Sequence, residues 1–93
     1  MQTFSSFIKL LVGKANEHPD HKAFIYLQNG ESESAVLTYR QLDQRARSIA
    51  AHLRARGLQG ERALLLFNPD LEFITCFFGC LYANVIAVPA YPP

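Results

Sequence analysis

The residues that could bind a metal ion or move a proton stand closest together in the stretch EHPDH, which carries His18, Asp20 and His21. Two imidazoles and a carboxylate at this spacing could ligate a cation or serve in acid–base chemistry. Pro19 lies among them, however, and a proline within a polar stretch is typical of a turn. We therefore interpret the three side chains as ordinary loop residues.

Cys76 and Cys80 are the two cysteines of the chain and stand four residues apart in a helical pattern. A zinc site needs further ligands, and His18, His21 and His52 do not stand at a zinc-site spacing from them. Free cysteine is commonly buried, so we predict two small core residues with neither a metal nor a disulfide. This composition suits a reducing, cytoplasmic compartment.

Two carboxylates and three tyrosines complete the candidates. Asp70 and Glu72 could act as a carboxylate pair, but they stand at the predicted start of a helix, where the helix dipole favours negative charge. Tyr39, Tyr82 and Tyr91 could contact a ligand. For Tyr39 and Tyr82, packing in the core or against a helix end is the better interpretation.

Motifs that hold phosphates or form covalent intermediates are missing from the sequence. It contains neither a G-x-x-x-x-G-K-[ST] nor a G-x-G-x-x-G loop. The serines lack the glycine frame of a nucleophile elbow; they are Ser5, Ser6, Ser32, Ser34 and Ser48. We therefore predict no catalytic, cofactor-binding or metal-binding residue within this sequence.

The bulk composition predicts one folded unit. Of the 93 residues, 49% are hydrophobic and 18% are charged, which favours folding over disorder. A net charge of +1 gives no electrostatic case for nucleic acid or an anionic membrane. The N-terminus lacks the basic start of a signal peptide. The apolar stretch Phe73–Ala83 is too short to span a bilayer, which takes about 20 residues.

The N-terminal part of the sequence predicts a helix followed by a hairpin. Thr3 can cap the helix and Pro19 ends it. The β-rich segments Ala23–Leu27 and Ala35–Thr38 flank the turn residues NGES, which predicts an antiparallel hairpin. Helical spacing places these apolar residues on one face of the helix: Phe4, Phe7, Ile8, Leu11, Val12 and Ala15.

The start of a second helix carries the clearest local signal. Thr38 and Gln41 have the spacing of a capping box, and Leu37 and Leu42 have that of a hydrophobic staple. The predicted buried stripe of this helix consists of Tyr39, Leu42, Ala46, Ile49, Ala50 and Leu53.

The second helix is predicted to end at Gly57 in a Schellman motif, with Leu58 folding back onto Leu53. Asp43 and Arg47 stand at ion-pair spacing within it. We interpret its arginines as a solvated basic face; they are Arg45, Arg47, Arg54 and Arg56.

A strand and a third helix follow. The apolar run in Arg62–Phe67 predicts a strand covered on both faces. Asn68 can cap the next helix, and Pro69 suits its first position. Because Leu71–Ala83 is apolar nearly all round, we expect this helix to be buried on more than one side.

The sequence closes with a turn, a strand and three prolines. Asn84 fits a left-handed turn, and Val85–Val88 predicts a second buried strand. A helix between two such strands predicts a right-handed βαβ unit with parallel pairing. Pro89 is expected to end the strand, and Pro92 and Pro93 to keep the following segment extended. Two parallel strands cannot complete a sheet, so the α/β domain is incomplete.

These stretches resemble a known family. The segments LTYRQLDQRARSIAAHLRARGL and ERALLLFNPDLEFITCFFGCLYANVIAVPAYPP are similar to the start of the adenylate-forming superfamily, which includes acyl-CoA synthetases, luciferases and peptide-synthetase adenylation domains. The ending VIAVPAYPP resembles the fatty-acyl-AMP ligases more narrowly. Asn84 departs from the glycine common in the family, a mild change because asparagine also adopts the left-handed conformation.

The resemblance implies that residues 1–93 are the N-terminal portion of a large domain in an enzyme several hundred residues long. That enzyme would use ATP and Mg²⁺ to convert a fatty acid to acyl-adenylate and release pyrophosphate. It would then transfer the acyl group to the phosphopantetheine of a carrier protein. The family's phosphate loop, aromatic–Gly–x–Thr–Glu segment, ribose-binding Asp and C-terminal Lys all lie outside these residues, so this piece alone is expected to be inactive.

Two alternatives remain open from the sequence. The chain could be part of another superfamily member, either an acyl-CoA synthetase or the loading module of a polyketide or peptide synthase. It could also be a free-standing, non-catalytic interaction module.

Overall fold

The computed structural model describes residues 2–28, 32–66 and 71–90. The elements follow one another as α1 (Gln2–Glu17), β1 (Lys22–Gln28), β2 (Ser32–Thr38), α2 (Tyr39–Ala55), β3 (Arg62–Leu66), α3 (Leu71–Ala83) and β4 (Ile86–Ala90). This order confirms the predicted sequence of helix, hairpin, helix and βαβ unit.

The start of α1 differs from the prediction. The helix begins at Gln2, so Thr3 is itself helical and does not stand at the N-cap position, whose backbone is non-helical. The other end agrees with the sequence, since α1 stops at Glu17, two residues before Pro19. The predicted cap at Asn68 falls on residues 67–70, outside the described residues.

The start of α2 is fixed by the predicted capping box. The Gln41 backbone N–H donates to Thr38 Oγ1 over 3.2 Å, and Gln41 Oε1 accepts from the Thr38 backbone N–H over 3.0 Å. The staple residues Leu37 and Leu42 are both fully buried in one cluster. Two otherwise unpaired backbone donors are thereby satisfied at the point where the chain passes from β2 into the helix.

Both α2 and α3 end in a Schellman motif. After α2, Leu58 N donates to Leu53 O (3.2 Å) and Gly57, at φ 70°, donates to Arg54 O (2.9 Å). This confirms the predicted ending at Gly57.

The ending of α3 repeats that pattern with asparagine in place of glycine. Val85 N donates to Cys80 O (2.9 Å) and Asn84 N donates to Leu81 O (3.2 Å). Asn84 has φ 58°, which confirms its predicted left-handed conformation.

The strands form two separate pairs. Strands β1 and β2 pair in antiparallel fashion as predicted, with register irregularities after Lys22 and after Tyr26. Strands β3 and β4 pair in parallel, which confirms the predicted pairing of the βαβ unit. Contrary to the prediction that both strands are buried, only one face of this pair is covered within the described residues. Ala63 and Ala87 pack on the core, whereas Leu64, Ile86 and Val88 are 66%, 51% and 38% exposed.

Pro89 does not end β4, contrary to the prediction. It lies inside the strand opposite Leu65, and pairing continues to Ala90. Ile86 N donates toward β3, to Glu61 O over 2.8 Å. The backbone N–H groups of successive residues in a strand point to opposite sides. Pro89 is three residues after Ile86, so its nitrogen faces away from β3. The missing N–H therefore costs no hydrogen bond to β3.

The packing of α3 against α2 joins the two halves of the core. Gly79 faces α2 so closely that a Cβ there would lie 2.5 Å from Ile49 Cγ2 and 2.7 Å from Ile49 Cβ. Ala46 and Ala50 of α2 are fully buried, as predicted for the stripe. Small side chains therefore let the two helix backbones approach closely. As predicted, α3 is covered on several sides, since it contacts α1, α2 and all four strands.

Replacing Gly79 with Ala tests this close contact. We expect Gly79→Ala to lower the free energy of unfolding by about 1–3 kcal/mol, because the new Cβ overlaps Ile49 in a packed interface. Gly13→Ala is the matched control, because nothing lies within 4 Å of a Cβ built at this position of α1. It should stabilise by up to about 1 kcal/mol through helix propensity. Thermal unfolding of both variants, followed by circular dichroism at one protein concentration, measures the two effects. Equal effects of the two substitutions would contradict the close contact at Gly79.

The left-handed turn at Asn84 generates a second prediction. Asn84→Gly should be neutral or slightly stabilising, because glycine adopts φ 58° without steric cost. Asn84→Val should destabilise by about 1–2 kcal/mol, because a β-branched side chain resists this conformation. Chemical denaturation of the two variants measures the difference, and coincident unfolding curves would show that the turn carries no such constraint.

Candidate functional site

The carboxyl ends of β3 and β4 form the edge where a ligand crevice is expected in an open α/β sheet. The two strands end side by side, with Leu66 opposite Ala90. The segments that leave this edge are residues 67–70 and 91–93, which are outside the described residues. Tyr91, Pro92 and Pro93 belong to them, so their predicted roles remain predictions. The described residues contribute the strands of this edge.

The predicted loop role of His18, Asp20 and His21 agrees with the contacts they make. The two imidazole rings stack at 4.5 Å between centroids with 10° between their planes. Asp20 forms an exposed ion pair with Arg40 at 3.3 Å. Among the described residues, no group of three or more His, Cys, Asp or Glu side chains could hold a metal ion.

Backbone hydrogen bonds tie the same turn to the start of α2. Tyr39 N donates to His21 O over 3.1 Å, and Arg40 N donates to Pro19 O over 3.0 Å. The turn therefore joins α1 to α2, which is a structural role and requires no chemistry of the side chains.

Asp43 is the centre of a polar cluster between α2 and α3. Its Oδ2 accepts from Arg47 Nε over 2.9 Å, which confirms the pair expected from their spacing. Its Oδ1 accepts from the Tyr82 hydroxyl over 2.7 Å. Tyr82 packs against both core clusters, which confirms its predicted packing. The bond to Asp43 was missed, although a buried tyrosine hydroxyl usually needs such an acceptor.

Arg54 is exposed, as predicted for the solvated face. Its guanidinium also donates to the backbone carbonyl of Tyr82, a bond that the sequence did not predict. That carbonyl belongs to the last turn of α3, where carbonyls lack helical partners. A cation at a helix C-terminus also interacts favourably with the helix dipole. Arg54 thus helps to close the end of α3.

Tyr82 is held in its protonated form. Burial, and then the hydrogen bond to the Asp43 carboxylate and its negative charge, raise the pKa of the Tyr82 hydroxyl, while the Arg47 guanidinium opposes the shift. A protonated tyrosine at neutral pH donates a hydrogen bond and cannot act as a base. The cluster therefore connects the two helices.

The cysteines are both free thiols. Cys80 is buried in the core, as predicted, and Cys76 is half-buried. Burial, and secondly the neighbouring Cys76, raise the pKa of the Cys80 thiol. Since the thiolate is the reactive form, Cys80 is a poor nucleophile and acts as a packing residue.

The family model of the AMP-binding enzymes matches residues 11–93. The chain belongs to this family. The match covers most of the sequence, from α1 through β4, and confirms the resemblance to the adenylate-forming enzymes. Within the described residues, none of the helices is both long and apolar enough to cross a membrane.

Three similar proteins define the relationship further. The medium-chain-fatty-acid–[acyl-carrier-protein] ligase JamA of Moorena producens is 49% identical over 97% of this chain, which spans 15% of JamA. Disco-interacting protein 2 of Drosophila melanogaster is 38% identical over 86% of this chain, which spans 5% of that protein. The fatty acyl-adenylate ligase of L. pneumophila, solved with acyl adenylate and pyrophosphate, is 47% identical with a TM-score of 0.85. The match covers 92% of this chain and 15% of the L. pneumophila ligase. It confirms the predicted fold class.

The bond between Tyr82 and Asp43 generates a third prediction. Tyr82→Phe keeps the ring but removes the hydroxyl, and should lower the free energy of unfolding by about 1–2 kcal/mol near neutral pH. Because folding raises the pKa of Tyr82, its stabilisation is complete below the ordinary tyrosine value near 10 and is lost as the pH rises above it. Chemical denaturation of the wild type and of Tyr82→Phe from pH 8 to pH 11 should show that the difference between their free energies of unfolding becomes smaller. A difference that stays constant over this pH range would contradict the hydrogen bond between Tyr82 and Asp43.

Proposed function

We propose that residues 1–93 are the N-terminal portion of the large domain of a fatty-acyl-AMP ligase and supply scaffold to it. The observation that carries this proposal is the combined likeness to the L. pneumophila ligase, at 47% identity and a TM-score of 0.85. The 49% identity to JamA supports the same subfamily, because JamA is a fatty-acid ligase that acts with an acyl-carrier protein.

In this proposal the parent enzyme activates a fatty acid in two steps. The carboxylate attacks the α-phosphate of ATP, which forms acyl-adenylate and releases pyrophosphate. The phosphopantetheine thiol of a carrier protein then attacks the acyl carbon and releases AMP. A reducing, cytoplasmic location is part of the proposal and is supported by the two free thiols. The net charge of +1 gives no reason to add a nucleic-acid partner.

We propose that the described residues do not themselves hold ATP or Mg²⁺. Among them, no acidic or metal-ligating cluster could hold a cation, and the sequence contains no glycine-rich phosphate loop. We therefore assign no reacting group to this chain. Its contribution is the parallel pair β3–β4 and the edge at which the two strands end.

A second candidate function is a non-catalytic interaction module. It is supported by the 38% identity to Disco-interacting protein 2, whose name states no ligase activity. The sequence up to β4 is therefore compatible with a relative that is not named as a ligase. Activity of the parent protein separates the two candidates.

The deciding experiment supplies the parent protein with ATP, Mg²⁺ and a fatty acid, together with either CoA or a phosphopantetheinylated carrier protein. We expect acyl-adenylate to accumulate with CoA and to be consumed with the carrier protein. Rapid formation of acyl-CoA would contradict the subfamily assignment, and failure to form acyl-adenylate would favour the interaction module.

The same assay on residues 1–93 alone tests the scaffold role. Pyrophosphate release should equal that of a control without protein, because the sequence contains no glycine-rich loop that could hold the phosphates of ATP. Release above this control would contradict the proposal.

A further inference from the structure

We draw no further inference here: the strongest candidate, the open apolar face of the β3–β4 pair around Leu64, Ile86 and Val88, carries nothing because the chain spans 15% of JamA and of the L. pneumophila ligase and nothing in the structure shows what covers this face.

Discussion

The close approach of α2 and α3 at Gly79 is the constraint on which the rest of the structure depends. A side chain as small as a methyl group would lie 2.5 Å from Ile49 Cγ2, so the backbones meet at a distance that only glycine permits. Ala46 and Ala50 of α2 are fully buried. At this separation the Tyr82 hydroxyl reaches Asp43 and the Arg54 guanidinium reaches the end of α3. The polar contacts between the two helices thus follow from the apolar one.

The same contact positions the parallel strand pair. Both helices end in Schellman motifs, and the loops beyond them are joined where Gly60 N donates to Asn84 O over 2.8 Å. One step further, Ile86 N donates to Glu61 O, which begins the register of β3 with β4. These hydrogen bonds make the position of β3 relative to β4 depend on the packing of α2 against α3. A scaffold role in an adenylate-forming enzyme requires such a rigid connection, because binding residues supplied by other segments must be held in register.

Local features could be predicted from the sequence because each is determined by residues a few positions apart. The capping box at Thr38 and the left-handed turns at Gly57 and Asn84 need no knowledge of the tertiary structure. The role of Gly79 and the bond from Arg54 to α3 depend on how distant elements meet, and composition does not reveal that. Pro89 was assigned wrongly because its effect depends on which side of the strand faces a neighbour. The family could be predicted because short sequence motifs carry the resemblance. The absence of site residues within this sequence remains a prediction.

Native-state hydrogen exchange tests most directly whether the α2–α3 contact organises the chain. Amides whose opening requires separation of the two helices should exchange slowest and with one common free energy. We predict this behaviour for the central turns of α2 around Ala46 and Ala50 and of α3 around Gly79 and Cys80, with faster exchange in α1 and in the β1–β2 hairpin. Hairpin amides that exchange as slowly as those of α2 and α3, or unequal opening free energies in the two helices, would contradict the account.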